Sequence, residues 1–145
     1  MTLPVLRAAR PEDLPLISGL LEESALSPEG VTEFLEHFRV AFTGERLVGT
    51  VGIEPYGREG LLRSLAVSSS QRSAGVGTLL LGDAVNHARL IGIRRLVLLT
   101  TTAAGYFTRH GWRTIDRSSV TGGVTSSSQF RGACPSTAAC MEMLL

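Results

Sequence analysis

The segment at residues 62–78 constrains the fold of this chain more than any other. An apolar strand at residues 62–67 gives way to the polar turn Ser68-Ser69-Ser70-Gln71, and Arg72-x-x-Gly75-x-Gly77-Thr78 then opens a helix. Glycine tolerates the dihedrals that bring successive backbone N–H groups together, and a helix N-terminus adds the positive end of its dipole. Such a nest suits an anion of pyrophosphate type. Two glycines one residue apart are weak on their own, since a turn with a packing glycine has the same letters. A dinucleotide-binding crevice would need a third glycine, a first βα unit opening a parallel sheet and an acid at the next strand tip. Here a meander precedes the turn, Thr78 and Leu79 follow Gly77, and the next strand ends in Thr100 and Thr101, which disfavours that architecture.

The elements around this segment follow from periodicity and stop signals. Residues 5–9 suit an opening strand, and Pro11-Glu12-Asp13 starts a helix that runs to about Glu23. Ser27 before Pro28 is a second N-cap signal, and Val31, Phe34, Leu35 and Phe38 at helical spacing predict a second helix. From Arg39 the period becomes that of strands: Val40 and Phe42, a turn at Gly44-Glu45, residues 47–53, a turn at Tyr56-Gly57-Arg58, and residues 61–67. A helix is expected over 78–91 with Gly92 as its stop, then a central strand over 95–100. A short helix over 103–109 stops at Gly111, a strand begins over 112–116, and a last strand covers 138–144. The Ser, Thr and Gly-rich stretch 118–128 reads as a loop or weak helix.

Composition bounds the partners. A chain of 145 residues, 43% hydrophobic and 19% charged, is sized for one domain, residues 1–145. The net charge is +1 with positive residues scattered throughout, which argues against a nucleic-acid partner. All fourteen positive side chains are arginine, so a P-loop lysine and a Schiff-base lysine are excluded. Cys134 and Cys140 come without a CxxC pair or a histidine cluster, so a reduced, metal-free, cytoplasmic protein is expected. No signal-peptide pattern opens the sequence, and no run reaches the roughly 18 apolar residues of a membrane span, so no membrane partner is expected.

The run Leu65-Ala66-Val67-Ser68-Ser69-Ser70-Gln71-Arg72-Ser73-Ala74-Gly75-Val76-Gly77 resembles the GNAT acetyltransferase pattern, in which strand four enters an Arg/Gln-x-x-Gly-x-Gly/Ala loop. The order of elements over residues 5–145 is similar to that family throughout. The resemblance implies an α/β (α+β) fold, a mixed twisted sheet of about six or seven strands flanked by about four helices, with strands four and five splayed apart. It implies acetyl-CoA as co-substrate, its pantetheine arm added beside Leu65, Ala66 and Val67 like a further strand. N–H groups of Ser73, Ala74, Gly75, Val76, Gly77 and Thr78 would hold the pyrophosphate, and Arg72 would add a charge-assisted contact. Ala103-Ala104-Gly105-Tyr106-Phe107-Thr108-Arg109-His110-Gly111-Trp112 resembles the short helix beside the CoA sulfur. Many members carry a tyrosine four residues before that glycine as general acid. Phe107 stands there in this chain, lining the cofactor, and Tyr106 lies about 100° round the helix. Tyr106 is the candidate acid, with a core or groove aromatic as its other reading.

Within the family, Leu62-Arg63-Ser64-Leu65-Ala66-Val67, Leu98-Leu99-Thr100-Thr101-Thr102-Ala103 and Gln129-Phe130-x-x-x-Cys134-Pro135-x-x-Ala138-x-x-Met141 resemble the arsenic-operon acetyltransferases. That group is similar in turn to short N-acetylglutamate synthases. Gln129 stands where a glutamate is common, and Thr121 where a proline is common. The resemblance implies transfer of acetyl to the primary amine of a small, anionic, arsenic-containing or glutamate-like amino acid, with Thr100 and Thr101 among the substrate contacts. A GNAT-fold sensor or partner protein that binds CoA or a metabolite without turnover is the other class, kept open by Phe107.

Glu54, on the strand beside Arg63, is the best carboxylate to take a proton from the acceptor amine, directly or through water, an exposed strand-end acid being its other reading. Arg63 reads as sharing one strand face with Leu65 and Val67, and an arginine on an apolar face needs an anionic partner. A substrate carboxylate, arsinate or phosphinate suits its planar fork, and a buried pair with Glu54 competes. His37 and His110 read as surface residues, Cys134 as structural, Cys140 as core and Trp112 as packing. A homodimer stays open.

Overall fold

The computed structural model describes residues 3–71 and 75–145. Strand β1 (Val5–Ala8) pairs antiparallel with β2 (Phe38–Thr43), and β2 pairs antiparallel with β3 (Arg46–Tyr56). Left-handed glycines make the two turns of the meander: Gly44 (φ 61°) between β2 and β3, and Gly57 (φ 69°) between β3 and β4 (Glu59–Val67). Beyond it come β5 (Arg95–Thr100), β6 (Arg113–Ile115) and β7 (Ala139–Leu144). The strand order is β1-β2-β3-β4-β5-β7-β6, so the sheet is mixed. The parallel ladder between β4 and β5 runs from Glu59↔Arg95 to Leu61↔Val97, while β4 continues to Val67. The last strand is inserted: β7 pairs with β5 from Arg95↔Leu144 to Thr100↔Ala139, and with β6 from Arg113↔Glu142 to Ile115↔Cys140.

The α-helices are α1 (Leu14–Glu23), α2 (Val76–Leu90) and α3 (Ala104–Arg109). The helix expected after Ser27 does not form. Ser27 does accept the Glu29 N–H at its hydroxyl (3.1 Å), but Gly30 is left-handed (φ 84°), and that conformation ends the run before a second turn can propagate. Turns and a single 3₁₀ turn, Leu35–His37, lead instead into β2, where Phe38 is fully buried. Val31 is buried all the same, so its apolar spacing reports core-facing positions of a coil rather than a helix face. No helix among the described residues is long and apolar enough to cross a membrane.

By internal contacts the chain forms two compact units, one from the chain up to Ile53 with Ser64–His87, the other from Glu54–Arg63 with Ala88–Leu145. In the first, Ile17, Leu20 and Leu21 of α1 pack with Val31, Phe38, Val40, Leu47 and Ala66. The spacing of the three helical residues puts them on one stripe, which is why this segment is an amphipathic helix. In the second, Leu61, Val97 and Cys140 pack with Val120 and Val124. Those two valines anchor the Ser/Thr/Gly-rich segment, which folds into the 3₁₀ turns Arg117–Ser119 and Gly123–Ser126.

Candidate active site

In the first unit, β4 carries a backbone irregularity before it leads towards α2. Ser64 is left-handed (φ 61°), a strained conformation for a residue with a side chain. The expectation that Arg63 shares one face with Leu65 and Val67 rests on a regular two-residue alternation, which a left-handed residue between them disturbs. Beyond it, Ala66 is buried, and Leu65 and Val67 are half-buried. The Ser68 N–H donates to Val48 O and the Gln71 N–H to Ser68 O, both at 2.8 Å, which closes the short turn Ser69–Gln71. Arg72, Ser73 and Ala74, three of the predicted phosphate-binding residues, lie outside the described residues.

Gly75 is left-handed (φ 78°), and its carbonyl accepts the Leu79 N–H at 3.1 Å as α2 begins. The N–H groups of Val76 and Gly77 precede that bond, so helix geometry gives them no acceptor inside α2 and directs them out of its N-terminus. α2 starts at Val76 rather than Thr78, which puts Gly77 inside the helix and leaves the left-handed turn to Gly75. A glycine that sequence reasoning passed over seats this helix. A Cβ at Gly49 of β3 would stand 2.6 Å from Leu80 Cδ1 and 3.1 Å from Val76 Cγ1. The signal was available, because a glycine inside an apolar strand often marks a close approach.

In the second unit, Glu54 and Arg63 form a buried pair, 1% and 4% exposed. Arg63 Nη1 donates to Glu54 Oε2 at 2.7 Å, and the Tyr56 hydroxyl donates to Glu54 Oε1 at 2.5 Å. The structure therefore realises the pairing weighed as Arg63's competing partner and adds Tyr56, which the sequence showed only as part of a turn. Thr100, half-buried at the end of β5, accepts the Ala103 N–H at its hydroxyl (3.0 Å) and so holds the entry to α3, while Thr101 is exposed. On α3, Phe107 is buried, edge-on to Trp112 with centroids 5.7 Å apart. Tyr106 is half-buried and stacks on His110 at 4.3 Å, and His110 Nδ1 lies 2.8 Å from the Tyr106 carbonyl.

The tail that resembles the arsenic-operon enzymes forms a braced turn. Cys134 donates its S–H to Gln129 Oε1 at 2.7 Å. Burial pushes this thiol's pKa up, against the opposing charges of Arg117 and Arg63, so it stays protonated rather than nucleophilic. Arg117 donates to Phe130 O and Pro135 O, each at 3.1 Å, and its guanidinium sits 5.2 Å from the centre of the Phe130 ring. Cys140, also pushed up by burial, is core on β7. His37 is not a lone surface residue: its Nδ1 lies 3.0 Å from His87 Nε2 on α2. Among the described residues no group of three or more His, Cys, Asp or Glu side chains is arranged to hold a metal ion.

Residues 35–114 match a family model described as an acetyltransferase (GNAT) domain. The amino-acid acetyltransferases of Neisseria meningitidis serogroups A and B are each 30% identical over 118 residues, which covers 75% of this chain and 27% of theirs. N-acetylglutamate synthase from Neisseria gonorrhoeae, solved with coenzyme A and N-acetyl-glutamate, superposes with a TM-score of 0.84 at 24% identity, over 100% of this chain and 36% of that one. Rv2747 from Mycobacterium tuberculosis, solved in complex with CoA, superposes with a TM-score of 0.81 at 23% identity, over 98% and 99% of the two chains. This chain thus spans only 27% of the length of the curated relatives it matches. With the family model covering the meander, the Gly75 turn, α2, β5 and α3, the chain belongs to the GNAT acetyltransferase family.

Proposed function

We propose that residues 1–145 form one acetyl-CoA-dependent N-acetyltransferase domain acting on the primary amine of a small, anionic amino acid of the glutamate or arsenic-containing type. The observation that carries this reading is the left-handed Gly75 turn opening α2 directly behind β4, within the family match. The outward N–H groups of Val76 and Gly77, at the positive end of a helix dipole, suit the pyrophosphate of CoA. Ser73, Ala74, Gly75 and Thr78 add to that cradle and Arg72 supplies a charge. The backbone of Leu65, Ala66 and Val67 pairs with the pantetheine arm in the manner of an added strand.

Acetyl-CoA supplies an acyl thioester, and the chain's own residues handle position and protons. Glu54 receives the proton that an ammonium acceptor must lose before it can attack. Arg63, while it stays paired with Glu54, adds the positive charge that favours an anionic acceptor, with Thr100 and Thr101 as further contacts. Tyr106 delivers a proton to the departing sulfur, and Phe107 walls the thioester side. The names of the Neisseria relatives support an amino acid as acceptor, whereas the arsenic-containing alternative rests on the tail around Cys134. A CoA-binding protein without turnover is the second reading, favoured by Phe107, which is buried and carries no hydroxyl.

Thiol release from acetyl-CoA across a panel of amino acids, run beside calorimetric CoA binding, separates the two. Acetylation of an acidic amino acid is expected, and CoA binding without any acetyl transfer would favour the sensor. Arg63→Lys keeps a charge beside Glu54 but loses the planar fork. It is expected to raise the KM for the anionic acceptor about tenfold, near 1.4 kcal/mol of binding, with CoA affinity unchanged. Equal loss of both would remove Arg63 from the acceptor site.

A further inference from the structure

Glu54 lies 1% exposed, and each of its carboxylate oxygens already accepts a hydrogen bond, one from Arg63 and one from Tyr56. Burial rather than saturation of its lone pairs keeps an arriving ammonium group from the carboxylate, and displacing Arg63 would leave a buried charge without its partner. Tyr56 is the member of the network that is half-buried rather than sealed. Its ring is fixed against the Gly123 backbone, where an added Cβ would stand 3.1 Å from Tyr56 Cβ and Cδ1. It also packs on the cluster of Leu61, Val97, Val120, Val124 and Cys140. The ring packing therefore holds the hydroxyl at Glu54, where it donates its proton.

We propose that Tyr56 is the relay through which Glu54 takes the proton of the acceptor amine, an inference that rests on the acetyltransferase reading above. One ammonium N–H bond breaks as its proton moves to the Tyr56 oxygen, and the Tyr56 O–H bond breaks as that proton moves to Glu54 Oε1. The ammonium and carboxylate become a neutral amine and a carboxylic acid, the phenol is regenerated, and no electrons are transferred between groups. After the product has gone, Glu54 returns its proton to the Tyr56 oxygen as the Tyr56 O–H proton passes to water. The charged group facing Glu54 is Arg63 on β4. Behind it the Cys134 thiol stays neutral, while Arg117 is occupied with the Phe130 and Pro135 carbonyls.

Tyr56→Phe keeps the ring and removes the relay. At neutral pH its kcat/KM for the acceptor is expected to fall on the order of 10²-fold, the usual contribution of positioned proton transfer, with the KM for acetyl-CoA unchanged. The loss should shrink as pH rises until the acceptor is already deprotonated. A loss of the same size at every pH, or none, would overturn the relay. Should Tyr56→Phe fail to fold, difluorotyrosine at position 56 is nearly isosteric and lowers the phenol's pKa. It is expected to move the acidic limb of the kcat/KM profile, and an unmoved limb contradicts the relay. A wild-type chain that acetylates no acceptor overturns the acetyltransferase reading itself, which keeps the two failures apart.

Discussion

At the scale of single residues, buried charge in this protein is matched side chain by side chain. Glu142 on β7 is 4% exposed and accepts from Arg95 Nε at 2.8 Å and Arg113 Nε at 2.6 Å, while Arg95 reaches Glu59 at 2.8 Å. Burial raises the Glu142 pKa, but the hydrogen bonds from Arg113 and Arg95 outweigh it and hold the carboxyl below its ordinary 4.5. The native chain therefore binds fewer protons here than the unfolded chain, so this stabilisation is complete above pH 4.5 and is lost as the pH falls below it. Glu142→Gln should cost about 2 kcal/mol at neutral pH, read from urea unfolding, and should flatten the acid limb of stability. His87 works in the same direction. Burial, then the positive charges of His37 and Arg39, hold its imidazole below 6.5, against the weaker pull of Asp83, while Glu36 sits 3.6 Å from His37. Unfolded His87 takes up its proton first, so the urea midpoint should drop between about pH 7.5 and about pH 5.5, and His87→Gln should remove part of that drop. Of these residues the sequence showed only the types. Glu54 and Arg63 were legible as a pair because the meander puts their strands side by side. Tyr56 was not, because a tyrosine at a turn reads as punctuation, and the His37–His87 contact joins elements that no local pattern connects.

Among the elements, those nearest the site are placed by glycines that admit a neighbour. Gly49→Ala would push Leu80 and Val76, and with them the first turns of α2, away from β3. CoA affinity is expected to fall about tenfold by calorimetry, since the N–H groups proposed to form the cradle move with the helix. Gly52→Ala is the informative contrast. Its Cβ would overlap the fully buried Phe38 ring, so it should destabilise the fold by about 1–3 kcal/mol yet leave the CoA affinity of the folded protein intact. Elements with strong local signals were readable: β5 falls on the expected residues 95–100, since a continuous apolar run bounded by breakers admits little else. The segment after Ser27 misled because its cap and apolar spacing are real while Gly30 overrides both. The left-handed backbone at Ser64 had no signal, because serine does not favour that conformation by itself.

For the whole molecule, one sheet order includes strands from both compact units, with β3 and β4 each contributing residues to both. One cooperative transition is expected, with far-ultraviolet circular dichroism and the fluorescence of Trp112, the sole tryptophan, giving the same midpoint. Two separated transitions would mean that the units fold independently. The overall architecture was legible because the order of strand, turn and helix around residues 62–78 lies within the stretch 35–114 that matches the GNAT family model. The acceptor was not, since that order does not specify side-chain contacts such as those that join Glu54, Tyr56 and Arg63. The central claim is that the domain moves an acetyl group from CoA to an acidic amino acid. Mass spectrometry of a reaction holding the protein, acetyl-CoA and L-glutamate tests it most directly. Equal amounts of free CoA and N-acetylated amino acid are predicted, and CoA that binds while no acetylated amine forms from glutamate or any other acidic amino acid would contradict the account.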